Sequence, residues 1–140
     1  MAALRAAIIP PGWEAFAAAH NYTPAMRCGD LLFCSGVTGN GPLGPTPKDP
    51  EAQFRRALDQ LTDFLTAGGA SWADLVDLVC YFTYGRETHA IFRRVLGDYV
   101  ISPPPAWTSI GVASLSSPET LIEIKAVARI PSDSPEPSPR

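Results

Sequence analysis

The sequence predicts a single α+β domain built on one mixed β-sheet with two helices on one face. Three observations carry that expectation. The run from Leu121 to Ile130 alternates strictly, with Ile122, Ile124, Ala126, Ala128 and Ile130 on one side and Glu123, Lys125 and Arg129 on the other, the period of a half-buried strand. Phe54, Leu58, Leu61 and Leu65 recur at helical spacing, as do Ile91, Val95 and Tyr99. The elements follow as strand, hairpin strands, helix, strand, helix, strand, strand, an order that fits one sheet covered on one side.

Residues 4–9 (LRAAII) suit a short first strand, stopped by Pro10-Pro11-Gly12. From Trp13 to Tyr22 the chain is squeezed between that break and Pro24, and is read as irregular. Gly29-Asp30 is a hairpin turn separating Ala25–Cys28 from Leu31–Ser35, where Leu31, Phe33 and Ser35 share a face. Residues 36–50 carry four Gly and four Pro and read as a loop, long enough to bind or cover something.

The first helix starts with Asp49 as N-cap, Pro50 at the first helical position and Glu51 complementing the dipole, and Gly68-Gly69 end it. Leu75–Thr83 reads as a strand with Val76, Leu78, Cys80 and Phe82 on one face and Asp77, Val79, Tyr81 and Thr83 on the other. A second helix fits Glu87–Tyr99. Ser102-Pro103-Pro104-Pro105 prevents its continuation and leads into a run where Trp107 and Ser109 share one face and Thr108 and Ile110 the other. The domain is expected to cover residues 1–131, followed by a Pro/Ser-rich disordered tail at 132–140.

Composition excludes several classes. A net charge of −3 supplies no basic field for a phosphate backbone, so nucleic acid is not an expected partner. No apolar run approaches the roughly 18 residues of a membrane span, and the N-terminus lacks a signal-peptide core, which leaves a cytoplasmic expectation. Three cysteines without a CxxC pair argue against a disulfide framework, and two histidines against a metal cluster. No metal or cofactor is expected. The uncovered sheet face, assigned Leu31, Phe33, Val79, Tyr81, Trp107, Leu121 and Val127, is too apolar for water and predicts self-association.

Five stretches in order, NYTPAMRCGDLLFCSGVTG, AQFRRALDQLTDFLTAGGAS, LVDLVCYFT, PPPAWTSIGVASL and LIEIKAVA, give the chain a resemblance to the Rid (YjgF-type) reactive-intermediate deaminases over nearly its whole length. The resemblance implies a chorismate-mutase-like fold, a homotrimer with a central barrel, and a small-molecule pocket at each subunit interface. It also implies hydrolysis of imines or enamines without metal or cofactor. Tyr22, the Ser35-Gly36 step and Glu123 match family site residues, Glu123 as the group that positions water. Phe33, on the face of Ser35, joins them as a candidate substrate contact.

The family's carboxylate-gripping arginine does not match: Pro105-Ala106 is followed by Trp107. Ser109 stands where some relatives carry cysteine. A charged hydrogen bond is worth roughly 1.5–3 kcal/mol, so losing it weakens binding by about ten- to a hundredfold. The resemblance with this departure implies a divergent acid/base catalyst for a more apolar or aromatic substrate. Its alternative is a non-catalytic trimer that binds a small metabolite.

Overall fold

A computed structural model describes residues 4–83 and 85–132. The elements are β1 (Ala6–Ile8), α1 (Glu14–His20), β2 (Ala25–Cys28), β3 (Leu31–Val37), α2 (Pro50–Ala67), a 3-10 turn at Trp72–Asp74, β4 (Leu75–Phe82), α3 (Arg86–Leu96), β5 (Ala106–Gly111) and β6 (Ile122–Arg129). They form one six-stranded sheet in the order β1-β2-β3-β6-β4-β5. Strand β6 is antiparallel to both β3 and β4, so β3 and β4 run parallel with α2 as their crossover. Strand β5 lies parallel to β4 at the edge. The mixed α+β architecture is thus the expected one. The tail expected to be disordered falls, from residue 133 on, outside the described residues.

The segment from Trp13 to Tyr22 is not irregular: it contains α1. Local sequence gives a helix of seven residues little support, and a tertiary anchor supplies it. The Trp13 ring is buried and meets Phe64 of α2 edge-on at 4.8 Å and Phe16 at 5.3 Å. Asn21, in the left-handed conformation at φ 51°, ends the helix.

Helix α2 starts as its sequence dictates, with Asp49 accepting a hydrogen bond from the Ala52 amide at 2.9 Å. Phe54, Leu58, Leu61 and Leu65 are buried against β3 and β6. A Cβ at Gly68 would run into the Leu32 side chain, so the glycine lets the end of α2 approach β3 closely. Arg55 and Arg94 both bond Glu51, joining α2 to α3 and holding its carboxyl down at about 2.

Two buried glutamines of α2 organise the loops. Gln53 donates to Pro47 O at 2.9 Å and Glu119 O at 3.0 Å, and accepts from the Leu121 amide at 2.7 Å. Gln60 donates to Thr38 O at 2.7 Å and Asn40 O at 3.1 Å, and Arg56 to Pro45 O at 2.8 Å. The segment expected as a loop at 36–50 starts only after β3 ends at Val37 and gives way to α2 at Pro50; residues 38–47 are strapped along α2, and the entry to β6 is pinned from the same helix.

Three positions depart from the face assignments. Val76 does not share the buried face of Leu78, Cys80 and Phe82; it is 45% exposed. Leu75 pairs with Ala128 and Asp77 with Val127, so Val76 is the extra residue of a β-bulge and the alternation restarts beyond it. Leu121 is buried before β6 begins. Trp107 is not on the open face either. It pairs with Leu78, and Ser109 with Cys80, so the parallel register puts both beside core residues on the helix side. The open face keeps Leu31, Phe33, Val79, Tyr81 and Val127, all partly or substantially exposed.

Gln53→Leu leaves the buried Leu121 amide and two carbonyls unpaired, and is expected to cost about 1–3 kcal/mol per group left unsatisfied, measured by urea denaturation. An unchanged midpoint contradicts the clamp.

Candidate functional site

The site begins with a second β-bulge. Cys34 pairs with Ala126 but Val37 with Ile124, three residues of β3 against two of β6. The Ser35-Gly36 step absorbs the difference. The Ser35 amide donates to Pro24 O at 2.8 Å and its hydroxyl to Thr23 O at 2.5 Å, tying the segment after Tyr22 to the bulge. The Ser35 proton is thereby engaged, and its oxygen keeps accepting capacity.

Glu123 lies on the open face of β6, half-buried, paired in register with Tyr81. A Cβ on Gly36 would overlap the Glu123 carboxylate, reaching its Cδ at 3.0 Å and Cγ at 3.2 Å. The carboxylate therefore rests against the bare Cα of Gly36. Among the described residues Glu123 makes no hydrogen bond or ion pair. Lys125, two residues on, donates instead to Cys34 O at 3.5 Å.

Tyr22 is half-buried, edge-on to Phe16 at 6.1 Å, and burial pushes its phenol up to about 12, so the neutral hydroxyl is the form present. Phe33 shares the open face but pairs with Val127, four residues and about 13 Å along β6 from Glu123. Tyr81, neighbour of Glu123, was visible in the sequence only as an apolar-face residue.

Trp107 and Ser109 form a separate wall on the helix side of β5. The Trp107 indole donates to Cys80 Sγ at 3.4 Å. His89 of α3 lies parallel to the indole, centroids 6.0 Å apart, and edge-on to Phe82 at 5.0 Å. Its Nε2 is 3.0 Å from Ser109 Oγ. No spacing between His89 and Ser109 announces this contact, because it depends on how α3 docks against β5. Cys80 is a buried thiol pushed up to about 12 and carries no nucleophilic role. Within one chain the structure brings Ser35, Gly36, Glu123 and the Tyr22 segment together, and leaves Trp107 and Ser109 on the opposite side of the sheet.

Among the described residues, no cluster of three or more His, Cys, Asp or Glu could hold a metal, and no helix is long and apolar enough to cross a membrane.

Fold and site define a small α+β protein with a glutamate lodged in a glycine bulge beside an open apolar sheet face. The chain belongs to the endoribonuclease L-PSP (YjgF/RutC/Rid) family, whose model matches residues 13–130. It is 36% identical to the RutC family protein YjgH of Escherichia coli (strain K12) over 128 residues, 91% of this chain and 96% of that protein. A solved structure of protein YJGH superposes with a TM-score of 0.84 at 34% identity, covering 94% of this chain and all of that one. Rv2704 from Mycobacterium tuberculosis, of the YjgF/YER057c/UK114 family, gives a TM-score of 0.75 at 29% identity, covering 90% and 99%.

Gly36→Ala is expected to destabilise the fold by about 1–3 kcal/mol through overlap with Glu123. In the Glu123→Ala background the penalty is expected to shrink, giving a coupling of about 0.5–3 kcal/mol in a urea double-mutant cycle. Additive effects contradict the contact.

Proposed function

We propose that this protein is a divergent Rid-type catalyst that adds water to an imine or enamine of a small, largely apolar or aromatic molecule, without metal or cofactor. The observation that carries this reading is the Glu123 carboxylate held on the Gly36 bulge with no protein partner among the described residues. A carboxylate positioned by packing alone keeps its oxygens available to a water.

In the reaction, water oxygen bonds to the imine carbon while Glu123 takes a water proton. Glu123 returns that proton to the nitrogen to give the carbinolamine, whose hydroxyl proton then passes to the nitrogen as the C–N bond breaks, releasing ammonia and leaving a carbonyl. The neutral Tyr22 hydroxyl and the free lone pairs of Ser35 orient the substrate beside Glu123. Phe33 and Tyr81 supply apolar surface.

Trp107 and Ser109 meet that group from a second chain. A homotrimer that covers the open face of Phe33, Val79, Tyr81 and Val127 removes this apolar surface from water and closes the pocket. Trp107 replaces a charge with an aromatic face and selects a larger, flatter substrate. The net charge of −3 supports a small-molecule ligand over RNA, and a cytoplasmic setting suits the absence of a disulfide framework.

Imines generated in situ by an amino-acid oxidase from aromatic and aliphatic amino acids test this directly, with carbonyl product as the readout. The wild-type chain is expected to accelerate hydrolysis of aromatic imines more than small aliphatic ones. Glu123→Ala is expected to lose at least about a hundredfold in kcat/KM with its sedimentation profile unchanged. Ligand binding without turnover, indifferent to Glu123→Gln, identifies instead a metabolite-binding trimer.

A further inference from the structure

Strand parity puts Asp77 of β4 and Glu123, Lys125 and Arg129 of β6 on the open face of the sheet. Two of these have a settled place. Arg129 pairs with Asp30 of the first hairpin at 3.2 Å, and Glu123 lies against Gly36. Lys125 and Asp77 stand instead among the apolar residues of the face. Lys125 is opposite Val79 in the ladder, and Asp77 opposite Val127.

This register makes Lys125 and Asp77 diagonal neighbours on adjacent strands, a spacing that a long side chain can bridge. Among the described residues they nevertheless form no ion pair with each other. The Lys125 ammonium extends the other way, donating a long hydrogen bond to the Cys34 carbonyl of β3 at 3.5 Å. Asp77 makes no hydrogen bond or ion pair among the described residues and stands on the side of β5, beside Ala106.

In water both charges are hydrated at little cost. A surface that covers the face removes that hydration, and a charge buried without a partner is heavily penalised. The covering surface must therefore bring one anion for Lys125 and one cation for Asp77, and the face itself carries that complement. The two halves of the sheet also match. Lys125 leans towards the Ser35-Gly36 bulge, and Asp77 lies towards the β5 edge that carries Trp107. An approach that brings β5 of one copy to the Glu123 bulge of another also brings Asp77 of the first towards Lys125 of the second. Contacts between unlike patches of this kind close into rings.

We propose that the open face docks a second copy of this chain through an ion pair between Lys125 of one copy and Asp77 of the next, and that this pair selects which chains assemble. This rests on the reading of the open face as covered in a homotrimer, and adds the residues that decide partner and register. A neighbour lacking either charge leaves the other buried and unpaired. A neighbour of reversed sign sets like charges together, and both penalties act against the wrong chain.

Charge reversal in the full chain tests the pairing, read by sedimentation velocity over a concentration series. Lys125→Asp and Asp77→Lys are each expected to raise the concentration of half-assembly at least about tenfold. The two variants, unfolded and refolded together in equal amounts, are expected to recover most of the wild-type assembly. Native mass spectrometry is expected to show mixed oligomers above their statistical share. Single variants that assemble like the wild type overturn the proposal. So does a mixture that recovers nothing, since the charges then act within one chain. Circular dichroism confirms that each variant is folded. Where a reversed chain is not, Lys125→Gln and Asp77→Asn serve, and the double variant is expected to associate no more weakly than either single one; weakening that adds overturns the pairing. A wild-type chain that stays monomeric overturns the pairing and the covered face together, whereas an oligomer indifferent to charge reversal overturns the pairing alone. Turnover plays no part in this readout, so either failure is distinguishable from loss of the Glu123 chemistry.

Discussion

The structure depends on the parity of β6. This strand is hydrogen-bonded on both sides, to β3 and to β4, and the core burial of Ile122, Ile124, Ala126 and Ala128 forces Glu123 and Lys125 to the opposite face. A slip of one residue would drive the three charges of Glu123, Lys125 and Arg129 into the core and four apolar side chains out, so the register is strongly specified. Glu123 owes its place to its neighbours' hydrophobicity rather than to any bond of its own. The two bulges then adjust its partners. The one at Ser35-Gly36 supplies a surface without a Cβ for the carboxylate, and the one at Val76 keeps Leu75 buried at the other end of β4.

The same parity divides the candidate site. Pairing of β5 with β4 is parallel and in register, so Trp107 and Ser109 follow Leu78 and Cys80 to the helix side. Glu123 follows Tyr81 to the open side. A sheet separates the two walls within one chain, and joining them requires a second copy whose β5 edge approaches the first chain's bulge. The exposed β5 edge and the apolar open face are both available for that contact.

Much of this was legible from the residues. The alternation of β6 fixed which face Glu123 takes, the Asp49-Pro50 start and Gly68-Gly69 end bounded α2, and Gly29-Asp30 set the first hairpin. What escaped depends on contacts between distant segments. Helix α1 exists because Trp13 reaches Phe64, and periodicity cannot register a single long-range anchor. Val76 fell on the wrong face because a bulge interrupts a pattern that alone looks continuous. The placement of Trp107 required the partner register of β5, and the His89–Ser109 contact required the docking of α3. The clamp roles of Gln53 and Gln60 were hidden because polar residues on a helix normally signal its solvent side.

The proposed pocket sets one requirement that a single chain cannot meet: Glu123 of one copy and Trp107 of another must serve the same pocket. Mixing chains tests it directly. Glu123→Ala and Trp107→Ala chains, each impaired alone in the imine-hydrolysis assay, are unfolded together and refolded as mixed oligomers. If the walls come from different copies, some pockets in the mixture regain both an intact Glu123 and an intact Trp107, and activity rises well above that of either parent. Activity that stays at the average of the two parents, in oligomers shown by mass spectrometry to be mixed, contradicts a pocket shared between chains.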